Sequence, residues 1–292
     1  MAVNKTSAVD DQEPVNVLFA LQNKFDLLDF AGPVQVFTTA VHDFNNAENT
    51  KAFEITIASL EPKVMSEQGI MVDSHITFKE AHDRLEEFDV LVIVGGNSAE
   101  VIDKQLEPLG VINDFSELQK KDPVRERTIM SVCTGSLFLA MEGILSGLSA
   151  TTHPDYVTKF ENLCSDAATR NLVERTDVVE DARYVVNNLR FDLGDEDENP
   201  YIRRKSDDTR RPSNARKGSM SFKGSGRRES IARRAAMRLG GLRVITSGGN
   251  SAGVDAALYL VSAMVDDGCA AEVARYMQWT WNKGIVVDGL DV

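Results

Sequence analysis

The chain has 292 residues, enough for one or two domains and a substantial core, and its 42% apolar and 26% charged residues match an ordinary globular protein. Its 45 acids against 32 bases leave a formal charge of −13, which sets the chain as a whole against nucleic acid and anionic membranes. The start, Met1–Ser7, holds no apolar run of signal-peptide length, and nowhere do about 18 consecutive apolar residues occur, so the expectation is a soluble cytoplasmic protein, with the nucleus left open.

In chain order, short β-branched runs alternate with helical stretches. Strands are predicted at 15–20 (VNVLFA), 53–59 (FEITIAS), 90–94 (VLVIV), 128–132 (TIMSV) and 243–247 (RVITS). Helices are predicted near 30–40, 108–121, 134–142, 154–163 and 251–265. The alternation implies an α/β fold, a mostly parallel sheet with helices on both faces. Between these elements lies a block of different composition. Residues 200–238 carry 13 bases and 3 acids, a net +10, which leaves the rest of the chain at −23. Rich in Ser, Gly and Arg, and preceded by the acids Asp195–Glu198, this block buries too little to offset its ordering entropy. The reading is one domain over 14–281, interrupted by a basic, disordered insertion at 192–238, with a flexible 1–13 ahead of it. Ile231–Leu239 is read as a short basic helix. The insertion precedes the last strand directly, so it is expected near the entrance of a site at the sheet or on a dimer surface.

Two strands end in nearly the same turn, Val-Gly-Gly-Asn-Ser-Ala at 94–99 and Ser-Gly-Gly-Asn-Ser-Ala-Gly at 247–253. Such glycines permit sharp strand-to-helix turns at the carboxyl edge, where α/β sheets place ligands. Gly95, Asn97 and Asn250 are thereby candidates to line a pocket. Neither turn fits G-x-G-x-x-G or ends in Gly-Lys-Ser/Thr, so no nucleotide site follows. Cys133, Cys164 and Cys269 are an odd number at wide spacing and read as free thiols, not as disulfides or paired zinc ligands. His42, His75, His82 and His153 are too scattered for a metal cluster. Neither a metal nor a cofactor is implied.

The segment with most chemical content is 128–140. A buried strand runs into Cys133, a glycine follows at 135, and an apolar helix begins at once, the layout of a nucleophile elbow. Amides at the helix amino terminus would favour the thiolate, and those of Thr134 and Gly96 could form an oxyanion hole. The residues alone leave a second reading open, Cys133 as a small core residue. Asp29 likewise reads either as an acid for catalysis or as a helix N-cap ahead of Pro33.

Taken together, 27–37 (LLDFAGPVQVF), 90–101 (VLVIVGGNSAEV), 131–147 (SVCTGSLFLAMEGILSG), 150–153 (ATTH) and 247–261 (SGGNSAGVDAALYLV) resemble the ThiJ/PfpI superfamily, and within it the isocyanide (isonitrile) hydratase branch. The resemblance spans roughly 14–190 and 241–281. It implies a flavodoxin-like three-layer α/β sandwich, shared with class I glutamine amidotransferase domains and usually found as a homodimer. It also implies that Cys133 is the nucleophile, Thr134 the elbow residue after it, and Asp29 the acid beside the sulfur. His153, 20 residues after Cys133, matches the position of a histidine partner in members with a Cys-His pair. The turn at 247–251 departs from the Gly-Gly-Gly-(Ile/Val)-Thr of the hydratases and puts polar Asn250 where an apolar side chain would line the pocket.

The implied reaction is addition of water to a small-molecule isocyanide to give a formamide, through a thioimidate on Cys133 with Asp29 as general acid and base. Two other readings stand beside it: a glutathione-independent glyoxalase using Cys133 and His153, and a non-enzymatic redox or ligand sensor. In the insertion, Ser206 and Ser230 follow paired arginines as basophilic kinases prefer, and the block's charge could hold an anionic partner.

Overall fold

The computed structural model describes residues 13–188, 202–203 and 238–288. The main sheet has nine strands: β1 Val15–Leu21, β2 Phe53–Ser59, β3 Ile76–Thr77, β4 Val90–Ile93, β5 Thr128–Val132, β6 Tyr184–Asn188, β7 Ile202–Arg203, β8 Arg243–Ser247 and β9 Ile285–Asp288. Their order in space is β7-β9-β6-β8-β5-β4-β1-β2-β3. All neighbours pair in parallel except β6 with β8, so β6, β9 and β7 run opposite to the rest. Helices α1 Leu27–Thr39, α2 Phe78–Asp83, α3 Ser98–Lys104, α4 Leu109–Lys121, α5 Gly135–Met141, α6 Val157–Asn171, α7 Ser251–Met264 and α8 Asp267–Tyr276 flank it. The alternation of side chains along each strand explains the two cores. Val17, Phe19 and Leu21 of β1 face one cluster, with Val254, Leu258 and Val273 of α7 and α8. Leu18 and Ala20 face the other, with Ile112, Phe115 and Phe160 of α4 and α6. A sheet between two helical layers is the α/β sandwich expected from the alternation of runs.

All five predicted strands are present, and α1, α4, α5, α6 and α7 overlie the five predicted helices. Strands β6 and β9 were not foreseen. Tyr184–Asn188 is a five-residue run whose direction nothing local encodes, and its pairing with β8 is antiparallel. No described helix is long and apolar enough to cross a membrane.

Residues 192–201 and 204–237 of the basic block, and 1–12 at the start, lie outside the described residues. So does most of the helix expected at 231–239; its last two positions belong to a turn, Arg238–Gly241, with Leu239 at φ 64°. The points of attachment are clear. Asn187 pairs with Val244, so β6 ends and β8 begins at the amino edge of the parallel strands. Cys133 follows β5 at the opposite, carboxyl edge, where Ser247 pairs with Val132. The chain therefore leaves β6 for the block and returns from it to β8 across the sheet from Cys133, while Ile202 and Arg203, within the span read as disordered, form β7 against β9, which corrects that reading at these two positions.

Candidate active site around Cys133

Cys133 sits at φ 57°, a left-handed conformation that non-glycine residues seldom adopt, between β5 and α5. The turn is held from several sides. The Cys133 N–H donates to Ser247 O and Gly248 O, each at 3.1 Å. Its carbonyl accepts from Ser136 Oγ at 2.9 Å, and that hydroxyl lies 2.8 Å from Thr152 Oγ1. Gly135 has no alternative, since a Cβ there would press on the Ile93 carbonyl of β4. This is the elbow expected at 128–140.

Asp29 is wholly buried beside the sulfur. The N-cap of α1 is not Asp29 but Asp26, whose side chain accepts from Leu28 N at 3.2 Å; three residues on, Asp29 occupies the first turn and points inward. Its Oδ2 accepts from Gly95 N at 3.1 Å. Burial, followed by the charge of Asp26, pushes its carboxyl up to about 7, against the pull of the Gly95 amide, the Cys133 thiol and the Asn250 amide. Cys133 is pushed up to about 12, first by burial and then by the Asp29 charge, while the amides of Thr134 and Asn250 pull it down. The amide at the helix terminus does pull the thiol pKa down, as expected, but burial outweighs it. The second oxygen of Asp29, Oδ1, is buried with no hydrogen-bond partner among the described residues.

The amides are distributed differently from the sequence expectation. Gly96 N–H donates to Thr134 Oγ1 at 3.0 Å and is not free for an oxyanion. The amides that face the sulfur are those of Thr134 and, from the other turn, Asn250. Gly95 serves Asp29 and does not line the adjoining cavity; a Cβ there would lie 2.6 Å from Asp29 Oδ2 and 2.9 Å from Thr134 N. Asn97 faces away. Its Nδ2 donates to Asn23 O and Glu100 Oε2, and it lines a separate cavity of 590 Å³ beyond β1.

Asn250 does line the cavity next to the elbow, which measures 640 Å³ and is walled by Leu28, Thr152, His153, Arg183, Asn250 and Ser251 among others. Its walls are as polar as apolar, where the resemblance implied an apolar pocket. His153 shares the wall and makes no hydrogen bond to the thiol. Its Nδ1 accepts from Asp155 N at 3.2 Å, its ring meets Tyr156 edge-on, and it rests against Gly249. Cys164 and Cys269 are buried in α6 and α8, and burial raises both thiols. Among the described residues no group of three or more metal-binding side chains converges.

Sequence reasoning missed three supports. Gln22 is buried and its Nε2 donates to the carbonyls of Val94, Gly95 and Gly96 at 3.2, 3.0 and 2.9 Å, fixing the first turn. Arg183 and Asp255 pair beside the second. The signal for Asp255 was visible: a single acid inside the apolar run Ser251–Met264 needs a buried partner. Gln22 carried no such sign.

The DJ-1/PfpI family matches residues 15–188, more than half of the chain. No curated protein matches the sequence. Among solved structures, the chain resembles Drosophila melanogaster DJ-1beta at 14% identity and a TM-score of 0.55, over 92% of this chain and 100% of that one. A ThiJ/PfpI family protein from Pseudomonas syringae gives 16% and 0.51 over 97% and 84%. An AraC family transcriptional regulator from Pseudomonas putida gives 17% and 0.53 over 90% and 100%. At these identities the likeness is one of fold.

Proposed function

Because the chain belongs to the DJ-1/PfpI family, we propose that Cys133 and Asp29 add water to an isocyanide, R–N≡C, to give the N-substituted formamide. One observation carries this reading: the Asp29 carboxyl is wholly buried at the elbow, one oxygen held by the Gly95 amide and the other without a partner among the described residues, and burial raises it to about 7, so a single group can take a proton and return it at neutral pH. Sulfur attacks the terminal carbon while its proton passes to Asp29 and from there to that carbon, forming the thioimidate R–N=CH–S–Cys133. Water then adds to the imidate carbon, losing a proton to the Asp29 carboxylate, which hands it to nitrogen. Collapse of the tetrahedral species breaks the C–S bond, and the hydroxyl proton returns through Asp29 to sulfur. The amides of Thr134 and Asn250 face the sulfur throughout and stabilise its charge as it attacks and as it leaves. The polar wall of Thr152, His153 and Asn250 favours an R group that itself forms hydrogen bonds.

The glyoxalase reading requires a histidine at the thiol, and His153 spends its Nδ1 on Asp155. The test gives purified protein a series of alkyl, aryl and polar-substituted isocyanides and follows formamide by NMR. Turnover by the wild type and none by Cys133→Ala or Asp29→Asn is the expected result. No turnover across the series overturns the assignment; lactate from methylglyoxal, lost in His153→Ala, would replace it with the glyoxalase. Oxidation of Cys133 to sulfenic or sulfinic acid under mild peroxide, with neither turnover, would replace it with the sensor.

A further inference from the structure

The turn that brings Asn250 to the sulfur is not self-supporting. Asn250 lies at φ 37°, ψ −84°, a region that L side chains avoid, and its side chain makes no cap bond to α7. Strain of this kind persists only where the surroundings over-determine the backbone. The Cys133 N–H holds the Ser247 and Gly248 carbonyls and the Gly253 N–H holds the carbonyl of Asn250, and the residue that grips both ends of the turn is Arg183. Its carbonyl accepts from Gly248 N at 3.0 Å, at one end of the turn. Its Nη1 and Nη2 donate to Ser251 Oγ at 3.2 Å, at the other end. Asn250 is caught between these two ties.

Arg183 is itself fixed. Asp255, wholly buried one turn along α7, accepts from Arg183 Nε at 2.7 Å, from Trp279 Nε1 at 2.8 Å and from Asn282 N at 3.1 Å. A buried carboxylate with donors from three residues on two segments is a rigid anchor, and the forked guanidinium reads its geometry as an ammonium could not. The charge of Arg183 is matched by Asp255, and the charged groups that bear on the sulfur are Asp29 and Asp26. Arg183 therefore acts on the sulfur through the backbone rather than through its own field.

We propose that Arg183, anchored by Asp255, is a positioning residue that holds the Gly248–Ser251 turn so that the Asn250 amide faces Cys133 and Asp29. The proposal rests on the reading of Cys133 and Asp29 as one site. When Arg183 is removed, Asn250 relaxes, its N–H leaves the sulfur, and the thiolate loses one of its two amide donors.

The test is the rate at which iodoacetamide alkylates Cys133 in the folded protein between pH 7.5 and 9.5, resolved from Cys164 and Cys269 by peptide mass spectrometry. Arg183→Met is expected to slow alkylation about tenfold at each pH, the effect of one lost donor worth about one pKa unit. Arg183→Lys is expected to recover part of the rate. Loosening alone makes a buried thiol easier to reach and speeds alkylation, so an unchanged or faster rate in Arg183→Met overturns the proposal. If Arg183→Met fails to fold, Ser251→Ala removes only the outer tie and is expected to slow alkylation in the same direction, and an unchanged rate there is equally fatal. Asp29→Asn separates the two levels. If it too leaves the rate unchanged, the Cys133–Asp29 site itself is wrong; if it changes the rate and Arg183→Met does not, only the positioning role falls.

Discussion

The turns at 95–99 and 248–252 share the sequence Gly-Gly-Asn-Ser-Ala, and each follows a strand that neighbours β5, yet they do different work. The first spends its amides on side chains: Gly95 on Asp29 and Gly96 on Thr134, while Asn97 turns outward to Asn23 and Glu100. The second places the Asn250 amide where it pulls down the pKa of both Asp29 and the sulfur. What differs is the residue behind each turn. Gln22 gathers the carbonyls of the first, so its amides face the site, whereas Arg183 grips the two ends of the second and leaves its middle strained. Five identical residues thus take their roles from partners far away in the chain.

The group that both turns address is Asp29, and the largest effect is expected there. Two amides and a thiol do not outweigh its burial, so its folded pKa of about 7 stands above the ordinary 3.8. Between those values the folded protein binds more protons than the unfolded chain. Stability therefore declines as pH rises from about 4 to about 7, by about 4 kcal/mol for a shift near three units. Asp29→Asn removes this dependence while abolishing turnover. Denaturant melts at pH 5 and pH 8 should show the variant more stable than the wild type at pH 8, with the gap narrowing at pH 5. Equal pH dependence in both proteins would mean that Asp29 is not held against its charge.

Next in size is the first turn. In Gly95→Ala the new methyl meets Asp29 Oδ2 at 2.6 Å and the Thr134 backbone at 2.9 Å, neither of which can retreat without opening the elbow. A loss of about 3 kcal/mol is expected from this overpacking, together with about a hundredfold fall in turnover as Asp29 is displaced. Calorimetry and the formamide assay check the two effects separately. Gln22→Ala leaves three carbonyls without their shared donor and is expected to cost about 2 kcal/mol, with a smaller effect on turnover. A neutral Gln22→Ala would show that the first turn, like the second, is held from elsewhere.

How much of this could be read from the chain depends on the range of each interaction. The strands were legible because runs such as Val15–Leu21 are buried on both faces and need no alternation. The elbow was legible because strand, Cys133, glycine and apolar helix are contiguous. The direction of β6 was not, since Tyr184–Asn188 owes it to a pairing with β8 across more than fifty residues of chain. The Gly96 amide was misplaced for the same reason: its acceptor, Thr134, is 38 residues away. Asn97 and Asn250 could not be told apart at all, because their local sequences are the same.

The smallest effects test whether the comparison extends to the glycines themselves. Gly248 matches Gly95 in sequence, but a Cβ there would find nothing nearer than Ala182 O at 3.5 Å, ordinary contact. Gly249 matches Gly96, yet its Cβ would press on the ring of His153, a half-buried side chain that can swing aside, whereas at Gly96, with φ at 98°, it would meet the backbone of Lys24 and Asp26. Gly249→Ala is therefore expected to cost less than about 1 kcal/mol and to act mainly on substrates that reach His153, seen as a changed KM with kcat kept. Gly248→Ala should fall within about 0.5 kcal/mol of the wild type, and a gain is reasonable, since alanine restricts the unfolded chain without straining the folded one. Set beside Gly95→Ala, it measures the contrast directly. If the two alanines prove equally harmful, the second turn is packed as tightly as the first, and the strain at Asn250 is held by packing around Gly248 rather than by the Arg183 guanidinium.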